Sequence, residues 1–247
     1  MRKFIVTIIL LSFFIVSSNV DADTVTLTFQ EGAYYTGTTT EYSGTLDTEL
    51  AQHNPDIPHG NNDYVTIDYT PVADCHGLLM FTDIFGPLSQ GKIPLNLLSS
   101  NYILDVTLTL HISQHGLVDA DLHRMLQSWD ETATWGGNFG GNGIQDDDSE
   151  ASSIIDATVL GETIPPSADD YILIDVTSSL RAWWENPTAN LGWAFLPCEN
   201  NEDGWVFSSY EATQSLRPEL SVTVPEPSSL CLIGLGSLIL RRKRWAK

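Results

Sequence analysis

Positive charge is scarce in this chain: 11 lysines and arginines stand against 32 aspartates and glutamates in 247 residues. Seven of the 11 lie near the ends, as Arg2, Lys3, Arg241, Arg242, Lys243, Arg244 and Lys247. Between Asp23 and Val224 only Lys92, Arg124, Arg181 and Arg217 remain against 30 acidic residues, a formal charge of −26. Such a field repels phosphate backbones and anionic membranes, which excludes nucleic-acid binding. The sequence also lacks a run of the ~20 apolar residues that a permanent membrane-spanning helix needs. Its three cysteines, Cys75, Cys198 and Cys231, are too few for a disulfide scaffold. A nucleophile elbow of the Gly-x-Ser-x-Gly type, a His-Glu-x-x-His pair, a phosphate loop, heptads and internal repeats are all missing.

What the ends do contain is organised. Arg2 and Lys3 precede an apolar run from Phe4 to Val16, a polar Ser17-Ser18-Asn19 and the small or branched Val20-Asp21-Ala22. That order predicts a secretory leader over Met1 to Ala22, cut by signal peptidase so that the mature chain starts at Asp23. At the other end Pro225-Glu226-Pro227 is followed by an apolar stretch from Leu230 to Leu240 and by Arg241-Arg242-Lys243-Arg244. The apolar stretch is about half a spanning helix, and the basic cluster resists translocation, so residues 229–240 are expected to anchor the chain in the inner membrane for a time. These three parts, in this order, resemble the PEP-CTERM sorting signal of bacterial surface proteins. The resemblance implies removal of the tail by a membrane-embedded exosortase and delivery to the outer surface or extracellular matrix. The expected organisation is a leader (1–22), one body (23–224) and a sorting tail (225–247). With Cys231 in the tail, an oxidising compartment makes Cys75 and Cys198 a candidate disulfide, two free thiols being the alternative.

Within the body, apolar residues recur with period two. Tyr102, Leu104, Val106, Leu108, Leu110 and Ile112 alternate with Asp105, Thr107, Thr109 and His111, the pattern of a half-buried strand. Similar runs centre on Leu27, Ile67, Ala120, Ile174, Trp193 and Val222, with shorter ones at Leu78 to Phe81, Ile155 to Val159 and Trp205 to Phe207. Clusters such as Pro58-His59-Gly60-Asn61-Asn62 and Asn200-Asn201-Glu202-Asp203-Gly204 separate them as turns. The pattern predicts an all-β fold, a two-sheet antiparallel β-sandwich, jelly-roll-like, with one short helix over Ser178 to Glu185. Thr177 is the expected cap of that helix and Asn186-Pro187 its end.

Several segments also occur in a familiar order. Gly77 to Phe81 precedes Tyr102 to Leu110, then His123 to Glu131 with Thr134-Trp135, Ile174 to Thr177 with Trp183, Asn190 to Trp193, Phe207 to Glu211, and Arg217 to Leu220. This succession resembles the DNRLRE domain, a secreted β-sandwich related to disaggregatase proteins and to carbohydrate-binding modules, over about Asn61 to Val224. The resemblance implies polysaccharide, including exopolysaccharide, as partner. Met80-Phe81-Thr82-Asp83 stands where that domain usually carries a basic residue.

Candidate site residues follow from residue chemistry. Trp135 opens a Gly-rich loop and Trp184 is out of phase with its helix, so both are expected to stack on sugar rings, with Tyr34 and Tyr35 beside them. Asp146, Asp147, Asp148 and Glu150 form an acidic run that makes calcium a candidate, though no cofactor is required. Arg124 and Arg217 are expected to tie strand ends by ion pairing, Arg124 with Asp130 or Glu131 and Arg217 with Glu211. Asp83, Glu131 and Glu211 are the carboxylates a glycosidase reading would use, since that chemistry needs two of them across a cleft. The expected product is an exported, non-catalytic polysaccharide-binding protein of the cell surface or matrix. Alternatives are a polysaccharide-degrading enzyme, a glycoside hydrolase or lyase, and a purely structural acidic matrix protein.

Overall fold

The computed structural model describes residues 23–167 and 170–226. The leader, Pro227 and everything after it, the anchor at 229–240 included, lie outside the described residues.

Eleven strands among the described residues build two antiparallel sheets. In the six-stranded sheet, β1 (Thr24–Gln30) pairs with β11 (Glu219–Pro225), and β11 with the first half of β5 (Asp105–Gln114). β10 (Trp205–Ser208) takes over that edge of β5 at Ile112 and Gln114, β3 (Tyr64–Ile67) lies beyond it, and β8 (Asp170–Asp175) runs along the opposite edge. The five-stranded sheet has the order β2 (Thr45–Ala51), β4 (Cys75–Phe81), β9 (Trp193–Pro197), β6 (Ala120–Met125), β7 (Ala151–Val159). The expected all-β sandwich is therefore present.

Alternation explains the main core. Leu27, Phe29, Val106, Leu108, Leu110, Ile112, Leu220 and Val222 of one sheet meet Leu79, Phe81, Leu122, Trp193 and Phe195 of the other in a single buried cluster. The phase of the longest run needs one correction. Val106 to Ile112 alternate as expected, but Leu104 is exposed and Ile103 is buried in its place, because β5 begins only at Asp105 after a 3-10 turn at Ser100–Tyr102. β2 was not anticipated, since Thr45-Leu46-Asp47-Thr48-Glu49-Leu50 reads as polar. Its Asp47 and Glu49 are nonetheless buried and accept backbone N–H groups, from Tyr210 (2.8 Å) and Thr66 (2.9 Å) respectively.

A second, smaller core lies on the outer face of the five-stranded sheet. Leu50, Leu78, Met80, Met125 and Ala194 point away from the sandwich and are covered by Trp129, Ala133, Trp135, Phe139 and Ile144 from the segment between β6 and β7. That segment includes the one-turn helix α1 (Trp135–Asn138), whose Gly137 N–H donates to the Thr134 hydroxyl at 3.0 Å. β4 is buried at every position because it has core on both faces.

Helix α2 (Thr177–Glu185) packs Leu180 and Trp183 into the main core. Thr177 does not cap it. Its N–H donates to Asp175 (2.9 Å) and its hydroxyl accepts from Val106 N–H (2.9 Å), so Asp175 satisfies the helix start and Thr177 ties it to β5. Asn186 ends the helix as expected.

Candidate functional site

The two sheets differ in what covers them. One side of the five-stranded sheet is roofed by the 126–150 segment, whereas the outer side of the six-stranded sheet is left open along most of its width. Strand register sets out its side chains in rows about 4.8 Å apart across the sheet. Thr26, Thr223 and Asp105 form one row; Thr28, Ser221, Thr107 and Asp175 the next; Gln30, Glu219, Thr109 and Leu173 a third. The Thr26 and Thr223 hydroxyls are 3.3 Å apart. His111 and Tyr171 follow, their rings 5.8 Å apart, with Tyr171 52% exposed. Hydroxyls dominate because the inward half of each strand carries the apolar residues and the outward half need only be strand-compatible, which favours threonine.

At the β3 end the same face becomes a groove of about 550 Å³. Its floor is Tyr64, Thr66, Ser113, Gln114 and Val206, and Thr213 and Leu216 of the loop before β11 form a wall. Tyr64 is 43% exposed and Asp63 sits beside it. Neither Tyr64 nor Tyr171 stood out in the sequence, because each looks like an ordinary strand residue; the signal available was its placement opposite the buried phase of its strand.

The aromatic residues expected to bind sugar are differently placed. Trp135 is 3% exposed, its indole N–H donates to the Gly141 carbonyl at 2.9 Å, and it belongs to the second core. A ring so enclosed has no free face, which corrects the stacking role expected of it. Trp184 is half-buried against the main core and donates to the Pro94 carbonyl at 2.9 Å. Tyr35 is buried, its hydroxyl donates to Asp83 at 3.0 Å, and Lys92 Nζ lies 5.4 Å from its ring centroid. Burial first, and then Asp83, push its phenol up to about 12. Lys92 also pairs with Asp83 at 2.6 Å, and Asp83 has a left-handed backbone (φ 54°). Tyr34 alone of the four is exposed, and it is Tyr35 that lines a cleft of about 710 Å³ between the threonine loop 37–40 and Ser89, Gln90 and Lys92.

The acidic run does not converge. Asp147 accepts from the Ser149 N–H (3.0 Å) and hydroxyl, Asp148 from the Ser153 N–H (2.8 Å) and hydroxyl (2.9 Å), and Glu150 from the Gln145 N–H (2.8 Å). These hydrogen bonds hold Asp147 and Asp148 below the usual carboxylate range. Asp146 is exposed. Among the described residues no three histidine, cysteine or acidic side chains are grouped to hold a metal ion.

The ion pairs also differ from expectation. Arg124 bonds Asp156 at 2.9 Å, across the β6 and β7 pair, and neither Asp130 nor Glu131. Arg217 donates to the carbonyls of Ala212 (2.9 Å) and Glu31 (3.0 Å) and makes no ion pair with Glu211. Cys75 and Cys198 are both free. Pairing of Gly77 with Phe195 puts Cys75 on the face shared by odd positions of β9, whereas Cys198, one residue past that strand, turns to the other face and reaches Asp121 at 3.7 Å.

Glu131 and Glu211, by contrast, do come together. Both lie against the Tyr210 hydroxyl, and buried Asp47 accepts the Tyr210 N–H. Burial, and then mutual repulsion among these carboxylates, raise Asp47 well above the ordinary range, and burial also raises Glu131. Burial and the two glutamates raise the Tyr210 phenol. The bond from Tyr210 to Asp47 ties the loop after β10 to β2, and the two grooves described above contain none of the cluster's carboxylates. Asp83 stands apart with Lys92.

Comparison with known proteins bears on the C-terminus. Residues 223–244 match the family described as PEP-CTERM protein-sorting motif. No curated protein sequence matches the chain. The motif marks the protein as one exported and sorted to the cell surface, with exosortase as the processing partner. No helix among the described residues is long and apolar enough to cross a membrane.

Proposed function

We propose that the protein is a non-catalytic component of the cell surface or extracellular matrix that holds polysaccharide against the outer face of its six-stranded sheet. The observation that carries this reading is the asymmetry of the sandwich: one sheet is roofed by its own chain, and the other leaves a hydroxyl-lined face open with Tyr64 and Tyr171 upon it. Hydroxyl rows supply donors and acceptors for sugar hydroxyls, and the tyrosines supply apolar faces with a polar tip. The DNRLRE-like succession of segments supports the same ligand class. With a formal charge of −26 on the body, a neutral glycan is favoured over an anionic one. Calcium enters only as a bridge to an anionic glycan, through exposed carboxylates such as Asp146. Before sorting, signal peptidase removes the leader, residues 229–240 hold the chain at the inner membrane, and exosortase removes the tail.

A polysaccharide-degrading enzyme is the second reading, favoured by the convergence of Glu131 and Glu211 on Tyr210. Affinity electrophoresis of the mature protein in neutral and anionic polysaccharide gels, with reducing-end and unsaturated-sugar assays on the same panel, separates the readings. Retardation by a neutral glycan without release supports binding. Release of new ends overturns the non-catalytic reading, and calcium-dependent aggregation without retardation in any gel overturns both in favour of a structural matrix protein.

A further inference from the structure

The sorting motif does not begin beyond the fold. Pro225 is the last residue of β11, buried and registered opposite Thr24, and the Glu226 N–H donates to the Asp23 carbonyl at 2.8 Å. The boundary expected between Val224 and Pro225 thus falls inside a strand. β11 is occupied on both edges, by β1 from Thr24 to Gln30 and by β5 from Asp105 to Thr109, and its Leu220, Val222 and Val224 are buried in the main core. Proline is tolerated at 225 because the neighbouring Glu226 N–H points toward β1, so position 225 points its missing N–H the other way, where the β5 ladder has already ended at Thr223.

We propose that the motif is presented as a clamped stub: Pro225 and Glu226 are fixed on Asp23 and Thr24, and the tail is severed no earlier than the Pro225–Glu226 bond. The location of the cut rests on the reading that the tail is removed; the clamp itself does not. A protease engages its substrate as an extended segment whose backbone hydrogen-bonding groups are free on at least one edge. Every bond up to Val224 fails that requirement unless β11 is pulled from the middle of its sheet, exposing three core side chains. Pro225 and Glu226 are held on the β1 side alone, so cleavage falls no earlier than the Pro225–Glu226 bond. At the cut, water adds across the peptide bond, the carbonyl carbon gaining the hydroxyl and the departing amine the proton. The same pairing gives the sorting enzyme a rigid surface to recognise, the β1 and β11 corner, which carries the residue that leader removal exposes.

The test uses the full chain produced in cells that process it. Intact mass of the exported protein is expected to place its C-terminal residue at Pro225 or later, and an end at Val224 or earlier overturns the proposal. A Thr26→Cys/Thr223→Cys pair, in a Cys231→Ser background, staples β1 to β11. Processing of the oxidised form is expected to stay within twofold of the reduced form, whereas a tenfold loss reversed by reductant shows that β11 must be peeled and refutes the clamp. Should Lys247 be found intact, tail removal is refuted separately, and proteinase K applied to the purified full chain still decides the clamp: trimming that stops at Pro225 or beyond supports it, and trimming into 219–224 refutes it.

Discussion

The imidazole of His76 lies 4.8 Å, centroid to centroid, from the indole of Trp135, and its Nδ1 accepts the Ile144 N–H at 3.2 Å. These two residues join β4 to the segment that roofs the five-stranded sheet. Trp135→Ala is expected to cost about 3 to 5 kcal/mol, the range for removing a large buried aromatic ring. Urea unfolding of the purified variant checks this, and an unchanged midpoint would contradict the placement of Trp135 in the second core.

Burial lowers the His76 pKa from 6.5 to about 4. The unfolded chain therefore takes up a proton near pH 6.5 that the folded protein refuses until about pH 4, so the His76 contribution is present above pH 6.5 and is lost as pH falls through that window. The full loss corresponds to roughly 3 kcal/mol at about 1.4 kcal/mol per pH unit. Asp47, Glu131 and Asp156, all raised, act in the opposite sense, so the informative quantity is the difference between wild type and His76→Gln. That difference in unfolding free energy is expected to shrink between pH 7 and pH 4, and a pH-independent difference would contradict it.

Asp156 is 2% exposed at its side chain and depends on Arg124, which is 22% exposed. Burial raises the Asp156 pKa more than Arg124 lowers it, so the pair is expensive to break. Arg124→Met is expected to destabilise by about 3 to 5 kcal/mol, because it strands a buried carboxylate. Arg124→Met combined with Asp156→Leu should recover most of that loss in thermal unfolding.

Much of the sandwich was legible because alternation in strands such as β1, β5, β8 and β11 is a direct consequence of one-sided burial. β2 was not legible: buried Asp47 and Glu49 break the apolar pattern, and their burial makes sense only once Tyr210 and Thr66 are seen donating to them. The site suffered more. A glycine-rich stretch around Trp135 reads as an exposed loop, and its apolar residues look unpartnered until β4 is recognised as buried on both faces. The continuous run Gly77-Leu78-Leu79-Met80-Phe81 was the available signal. The ion pairs are illegible for a similar reason, since Glu131 is the sequence neighbour of Arg124 while the sheet brings Asp156 to it from β7.

The cysteines supply a further check. Burial, helped by nearby carboxylates, pushes the Cys75 thiol up to about 12 and the Cys198 thiol up to about 11. Thiol titration of denatured mature protein should count two free sulfhydryls, reductant should leave Tm unchanged, and both thiols should react slowly at pH 8 while folded. A reductant-induced fall in Tm would restore the disulfide.

The most direct measurement of the central claim is a calorimetric titration of the mature protein, and of its Tyr64→Ala variant, with the neutral polysaccharide that retards it most. Tyr64 is exposed at the open face, so Tm should be preserved within about 2 °C, a surface change being worth within about 0.5 kcal/mol. Affinity should fall about tenfold, the loss of one stacked aromatic contact of roughly 1.4 kcal/mol. Equal affinity of the two proteins with equal Tm would contradict the assignment of glycan binding to this face.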